Sequence, residues 1–267
     1  MRIGIFGGSF NPVHNGHIHL AKTAAAEFSL DRIFFVPSRI SPHRSMTEYA
    51  AAEDRLEMLR LACANEPLFE VCDYELRSDR VSYTIYTIEY FRSRFPDDEL
   101  FLLVGSDMLL SFDKWFCYEK ILAQASLCVI SRHDGDSAEL KKKSQELKKL
   151  GKIYVSESLP LVISSTEIRK KIAKNKDFTC YLDKNVVQYI RLKGLYSLRG
   201  DKKMLYDPET KKKYLKENLS AKRYTHSLNV AEECRKLAER YGEDPNKAYF
   251  AGLLHDICKE LPSDEQK

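Results

Sequence analysis

The sequence predicts an α/β fold, a doubly wound parallel sheet followed by a smaller all-α segment. Short apolar runs alternate with longer amphipathic stretches from the first residues to about Arg199. Such β-α alternation is the pattern of a parallel sheet covered by helices on both faces. Past a polar stretch at Ser197–Asp207, which carries Gly200 and leads into Pro208, strand patterns vanish and helical periodicity remains.

In chain order, Arg2–Phe6 is a short apolar run ending in glycine, a buried strand rather than the core of a secretory signal. Gly16–Phe28 is the first helical stretch and Arg32–Val36 the second strand. Tyr49–Ala64 is helical, Phe69–Cys72 a strand, Tyr83–Phe95 a helix and Glu99–Val104 a strand. One long helix is expected over Met108–Gln124, then a strand at Ser126–Ser131, a helix at Ser137–Leu150 and a strand at Lys152–Val155. Helices at Ser164–Lys174 and Lys184–Arg191 follow, the second stopped by Gly194. Residues 1–198 thus read as a Rossmann-like domain. Helices at Glu209–Leu219, Ala221–Tyr241 and Pro245–His255 make residues 199–267 a second, helical unit. The lysine-rich stretch Lys141–Lys149 reads as a solvated helix face.

Composition is that of a globular protein: of 267 residues, 43% are hydrophobic and 31% charged. A net charge of only +4 demands no nucleic-acid partner and suits an enzyme that handles phosphates with a few placed cations. No run is long enough to span a membrane. The seven cysteines, Cys63, Cys72, Cys117, Cys128, Cys180, Cys234 and Cys258, form no C-x-x-C pair. An odd, scattered set points to reduced thiols and a cytoplasmic location.

Three strings carry the chemistry. Gly7-Gly8-Ser9-Phe10-Asn11-Pro12-Val13-His14-Asn15-Gly16-His17 follows the first strand and opens a helix. Glycines let backbone N–H groups approach a phosphate, and a helix N-terminus adds donors and partial positive charge. His14 and His17, three apart, share one face of the first turn. Ile163-Ser164-Ser165-Thr166-Glu167-Ile168-Arg169 has a capping-box spacing, Ser164 to Glu167, with Arg169 on the early helix. Val36-Pro37-Ser38-Arg39-Ile40-Ser41-Pro42-His43-Arg44 follows the second strand, beyond whose carboxyl end ligands of parallel sheets bind.

The string His14-Asn15-Gly16-His17 resembles the H-x-G-H signature of the nucleotidyltransferase superfamily of α/β phosphodiesterases. The Ile163–Arg169 string resembles that family's I-S-S-T-x-x-R motif, and Pro37–Arg44 the P-x-x-x-x-P-H-K segment of bacterial nicotinate-mononucleotide adenylyltransferases. Arg44 stands where that family usually has lysine; the charge is kept and the geometry altered. Ser82-Tyr83-Thr84, Gly105-Ser106-Asp107 and Trp115, the one tryptophan, resemble further segments in the same order. The related phosphopantetheine adenylyltransferases share the phosphate motifs but lack the combination of Pro42-His43, Ser82-Tyr83-Thr84 and Trp115.

The resemblance implies transfer of AMP from ATP to nicotinate mononucleotide, with pyrophosphate leaving and no covalent enzyme intermediate. It implies catalytic roles for His17, His14 and Arg44. It implies ATP contacts from Gly7, Gly8, Ser9, Phe10, Gly16, Gly105, Asp107, Ser164, Ser165, Thr166 and Arg169. Acceptor contacts would come from Asn11, His43, Arg44, Ser82, Tyr83, Thr84 and Trp115, whose face could stack on the pyridine ring. Mg²⁺ would arrive on ATP. Expected partners are these two substrates, with no nucleic acid and no membrane; a homo-oligomer stays open. Nicotinamide mononucleotide or phosphopantetheine as acceptor, and a non-catalytic nucleotide-binding regulator, stay open too.

In the second unit, two histidines and an aspartate on facing helices, His226, His255 and Asp256, are a divalent-metal set. They resemble the start of an HD-type metal-dependent phosphohydrolase, which would take a metal such as iron if the set is completed. The pattern's last aspartate normally lies well downstream, and Asp264 is too close. The expectation is an incomplete or vestigial HD segment without hydrolase competence.

Overall fold

A computed structural model describes residues 1–39, 50–78, 80–130, 137–156, 158, 161, 163–197 and 208–257. The expected His43 and Arg44, and Asp264, lie outside these residues. The chain divides into two units, Met1–Ser197 and Leu198–Lys267.

The first unit is a six-stranded sheet of β1 (Arg2–Gly8), β2 (Arg32–Pro37), β3 (Phe69–Val71), β4 (Glu99–Gly105), β5 (Ser126–Ile130) and β6 (Ile153–Val155). Every pair is parallel, and the spatial order is β3-β2-β1-β4-β5-β6. Strand order therefore reverses between β1 and β4, which pair from Arg2↔Glu99 to Ile5↔Leu102. Beyond their carboxyl ends, crossovers leave in opposite directions and open a crevice.

Alternating side chains send each strand's two faces into separate cores. On one face Phe6, Phe35, Leu103 and Ile130 pack with α1 (Asn15–Glu27), α2 (Ala52–Cys63), α7 (Ser165–Ala173) and α8 (Lys184–Lys193). On the other Ile5, Val36, Leu102 and Val129 pack with α3 (Thr84–Arg94), α4 (Ser106–Leu110), α5 (Tyr118–Gln124) and α6 (Ser137–Leu147). Helix α8 ends as expected, on Gly194 in the left-handed region (φ 59°). Lys141, Lys142, Lys148 and Lys149 are exposed while Leu140 and Leu147 face inward, so the lysine run is a solvated face.

The single helix expected over Met108–Gln124 is instead α4, a 3₁₀ turn at Phe112–Lys114 and α5. The break lies at Cys117, a non-glycine residue in the left-handed region (φ 54°). Burial of Phe112, whose ring centroid stands 4.9 Å from that of Trp115, folds the segment over the crevice instead of along a helix axis.

The second unit holds α9 (Pro208–Asn218), α10 (Ala221–Tyr241) and α11 (Pro245–Leu254) around Leu215, Ala231, Tyr249 and Leu253. Gly252 permits the close approach of α11 to α10: a Cβ there would stand 2.8 Å from Ala231 Cα. No described helix is long and apolar enough to cross a membrane.

Candidate active site

A cavity of about 700 Å³ opens at the carboxyl ends of β1 and β4. Gly7, Gly8, Ser9 and Phe10 line it from β1 and its turn, and His14, Gly16 and His17 from the start of α1. Gly105 and Asp107 line it at the end of β4, and Ser164, Ser165 and Thr166 at the start of α7. Ser82, Tyr83, Thr84 and Trp115 complete it. The two phosphate strings converge: a Cβ on Gly16 would stand 3.1 Å from His14 Nδ1 and 3.3 Å from Ile163 Cβ. Two helix N-termini therefore face one space, the arrangement that favours an anion.

The turn after β1 is held from behind. Arg55 of α2, 2% exposed, donates through Nη1 to the Ser9 carbonyl at 2.7 Å and through Nε to the Ala50 carbonyl at 3.3 Å. Arg169 Nη1 donates to the Asn11 carbonyl at 2.9 Å, and Ser165 Oγ to the Pro12 carbonyl at 3.0 Å. Asn11 Oδ1 accepts from the Tyr196 hydroxyl at 2.8 Å and the Ala50 amide at 3.0 Å. Three successive donors thus draw carbonyl oxygens into the protein. Asn11, 1% exposed, organises the turn through these bonds. Arg169 likewise grips the backbone of this turn.

The imidazoles are stacked, with ring centroids 3.7 Å apart. The His14 backbone N–H donates to His17 Nδ1 at 3.2 Å, so a neutral His17 carries its proton on Nε2. The same bond caps an otherwise orphan donor at the start of α1. Phe10, its ring centroid 5.1 Å from that of His17, braces the ring from the strand side. The capping box expected at Ser164 does not form. Ser164 makes no side-chain cap bond, and Glu167 turns to Lys170 Nζ at 2.8 Å. The first-turn amides of α7 are left without a side-chain cap, which is what a phosphate cradle requires.

Glu75, 8% exposed, also lines the cavity. It accepts from Thr87 Oγ1 at 2.5 Å and is hydrogen-bonded to Ser82, whose Oγ accepts from the Arg39 amide at 3.1 Å. Burial raises the Glu75 pKa above the usual carboxylate range, partly opposed by those hydroxyls. Lys114 and Phe116 flank Trp115 on the wall. In the second unit, His226 Nε2 and His255 Nε2 are 3.3 Å apart, and Asp256, 5% exposed, sets Oδ1 3.3 Å from His255 Nε2. His255 Nδ1 donates to the Gly252 carbonyl at 2.7 Å, which leaves the Nε2 lone pair facing its neighbours.

The cytidylyltransferase-like model matches residues 5–171, most of the first unit and all of its phosphate strings. The chain belongs to the cytidylyltransferase-like family. A probable nicotinate-nucleotide adenylyltransferase of Clostridium novyi (strain NT) is 40% identical over 184 residues, covering 67% of this chain and 90% of that relative. Another, of Clostridium tetani (strain Massachusetts / E88), is 37% identical over 195 residues, 72% of this chain and 97% of the relative. The solved Plasmodium falciparum nicotinic acid mononucleotide adenylyltransferase complexed with NaAD shares the fold, with a TM-score of 0.61 at 23% identity over 73% of this chain and 97% of that one. The HD domain model matches residues 223–267.

In this cytidylyltransferase-like chain several residues that shape the cavity escaped the sequence reading. Arg55 looks like any charged position on an amphipathic helix, and nothing local signals its burial. Glu75 sits in a polar stretch whose partners lie 7 and 12 residues on, at Ser82 and Thr87. Lys114 was within reach, since it adjoins Trp115 in the sequence.

Proposed function

We propose that the first unit transfers AMP from ATP to nicotinate mononucleotide, giving nicotinate adenine dinucleotide and pyrophosphate. The observation that carries this is the convergence of the His14–His17 turn and the Ile163–Thr166 turn on one anion cradle, with Trp115 and Ser82–Thr84 on the same cavity. The names of the relatives point to the same reaction.

A 5′-phosphate oxygen of the acceptor attacks the α-phosphorus of ATP in line. A P–O bond forms as the Pα–O bond to the β-phosphate breaks, and the electron pair leaves with pyrophosphate. No side-chain nucleophile is needed, so the protein contributes positioning and charge stabilisation. His17 Nε2–H donates to the charge developing at the α-phosphate. His14 and the amides at Ser164–Thr166 hold the β- and γ-phosphates, and Trp115 and Thr84 orient the pyridine. Mg²⁺ carried in with ATP would supply charge shielding of the triphosphate. The test is pyrophosphate release with ATP and each of nicotinate mononucleotide, nicotinamide mononucleotide and phosphopantetheine. Turnover is expected to be highest with the first; faster turnover with phosphopantetheine would overturn the assignment.

A second reading, for the second unit alone, is favoured by the proton fixed on His255 Nδ1. His226, His255 and Asp256 offer ligand atoms within 4.8 Å of one another and would hold a divalent metal such as iron, supplying Lewis-acid chemistry. Metal content after dialysis against limiting iron or manganese is expected to fall in His226→Ala; equal content in both proteins would remove this site.

A further inference from the structure

We infer that Lys114 is the specificity-determining residue that reads the negative charge on the acceptor's pyridine ring; this rests on the adenylyl-transfer reading above. Among the described residues lining the cavity, Lys114 is the sole lysine or arginine. The remaining ionisable wall groups are imidazoles, a tyrosine and the carboxylates of Glu75 and Asp107. Arg55 and Arg169, the nearby arginines, donate to backbone carbonyls behind the turn.

Lys114, whose side chain is exposed, is also held in place through its backbone. It ends the 3₁₀ turn Phe112–Lys114, where its amide donates to the Ser111 carbonyl at 3.0 Å and the Trp115 amide to the Phe112 carbonyl at 3.0 Å. Phe112 is fully buried and anchors the turn. The adjacent carboxylate, Asp113, pairs with Lys143 Nζ of α6 at 2.8 Å, and that lysine is only 18% exposed. Asp113 is thereby drawn toward α6, and Lys114 joins the wall beside Trp115.

Nicotinate and nicotinamide mononucleotides share ribose and phosphate and differ in one group, an anionic carboxylate against a neutral amide. The phosphate of either goes to the cradle where the α-phosphorus lies. A lysine beside the ring-stacking tryptophan meets the group that differs. A point charge on a flexible stem suits this role, since it needs attraction rather than a fixed fork.

The test compares wild type, Lys114→Met and Lys114→Arg in the full chain. It measures kcat/KM for both mononucleotides, KM for ATP, and binding of each mononucleotide through quenching of Trp115, the protein's single tryptophan. Lys114→Met is expected to lose about 10- to 100-fold for nicotinate mononucleotide, the scale of one hydrogen bond to a charged group. Values for nicotinamide mononucleotide and ATP should stay level, and Lys114→Arg should recover most of the loss. Equal loss for both mononucleotides would assign the charge to the shared phosphate and overturn the inference, as would no loss for either. If wild type releases no pyrophosphate, the transfer reading fails, and the fluorescence titrations still decide whether Lys114 separates the two ligands. If neither mononucleotide quenches Trp115, both fail.

Discussion

Arg55→Met separates the support of the phosphate turn from the groups that face the substrates. Methionine keeps an apolar stem of similar length and removes the guanidinium. The change deletes a charge-assisted bond to the Ser9 carbonyl at 2.7 Å and a weaker one to the Ala50 carbonyl at 3.3 Å, at a site 2% exposed. The first contributes about 1.5–3 kcal/mol and the second about 1 kcal/mol, and carbonyls left without donors add to the loss. Relief of the buried charge's desolvation offsets part of it, so the net destabilisation is about 2–4 kcal/mol. For a unit of this size that lowers Tm by roughly 4–16 °C, at about 2–4 °C per kcal/mol. Thermal unfolding followed by circular dichroism reads the shift. Steady-state kinetics read the function: with the Ser9 carbonyl released, KM for ATP should rise several-fold while that for the mononucleotide changes little. A Tm within about 2 °C of wild type together with an unchanged KM for ATP would refute the idea that Arg55 aims the turn.

Two further substitutions probe the cavity wall. His17→Ala removes the proposed Nε2 donor and should cut kcat by about 10²- to 10³-fold, the usual effect of deleting one preorganised transition-state donor. Its Tm should fall only slightly, because the lost cap at the His14 amide is one bond at a helix end; a pyrophosphate assay near the wild-type rate would refute the role. Glu75→Gln tests the buried carboxyl through the pH dependence of stability. The folded pKa is raised, so the folded state holds a proton that the unfolded chain has already released. That contribution is complete below the unfolded pKa and is lost as pH rises through the folded one. Denaturant titrations from about pH 4 to 8 should therefore show a decline in wild type that Glu75→Gln flattens. Parallel curves would show that burial of Glu75 leaves its titration unchanged.

The sheet was legible because its inner strands, covered on both faces, are near-continuous apolar runs, and the shorter edge strands β3 and β6 stand between helical stretches. The turn after β1 was legible too, as a glycine-bearing strand-to-helix connection at the cavity. The broken helix at Met108–Gln124 was not, because Cys117 gives no glycine-like signal of its left-handed backbone. Arg169 is expected, from its place on an early helical turn and the family motif, to grip a phosphate, and its backbone bond is a further contact. Its bond to the Asn11 carbonyl joins residues 158 positions apart, and no local pattern encodes that. The same holds for Arg55 and Ser9, 46 positions apart, and for Tyr196 and Asn11, 185 apart. Sequence pattern reports which residues line the cavity more readily than which residues hold its backbone in place.

The placement of charge follows from what the proposed reaction requires. Among the described residues, the wall where the triphosphate would lie offers backbone amides, hydroxyls and the imidazoles of His14 and His17, while Arg55 and Arg169 donate to the carbonyls of Ser9 and Asn11. A full cation fixed there would attract ATP in its ground state as strongly as in the transition state, and such uniform binding lowers KM without raising kcat. Neutral dipoles held rigidly from behind behave differently. They gain most where charge grows, on the oxygens around the α-phosphorus and on the departing bridge. Lys114, the lysine among the described cavity residues, would on the proposed reading stand by the pyridine end, where no charge changes during reaction and where ground-state attraction can choose the acceptor. Rigidity of the turn and selectivity of the wall are therefore separable. Substitutions at Arg55 should act through ATP, and those at Lys114 through the mononucleotide, with independent effects on kcat/KM that add in free energy.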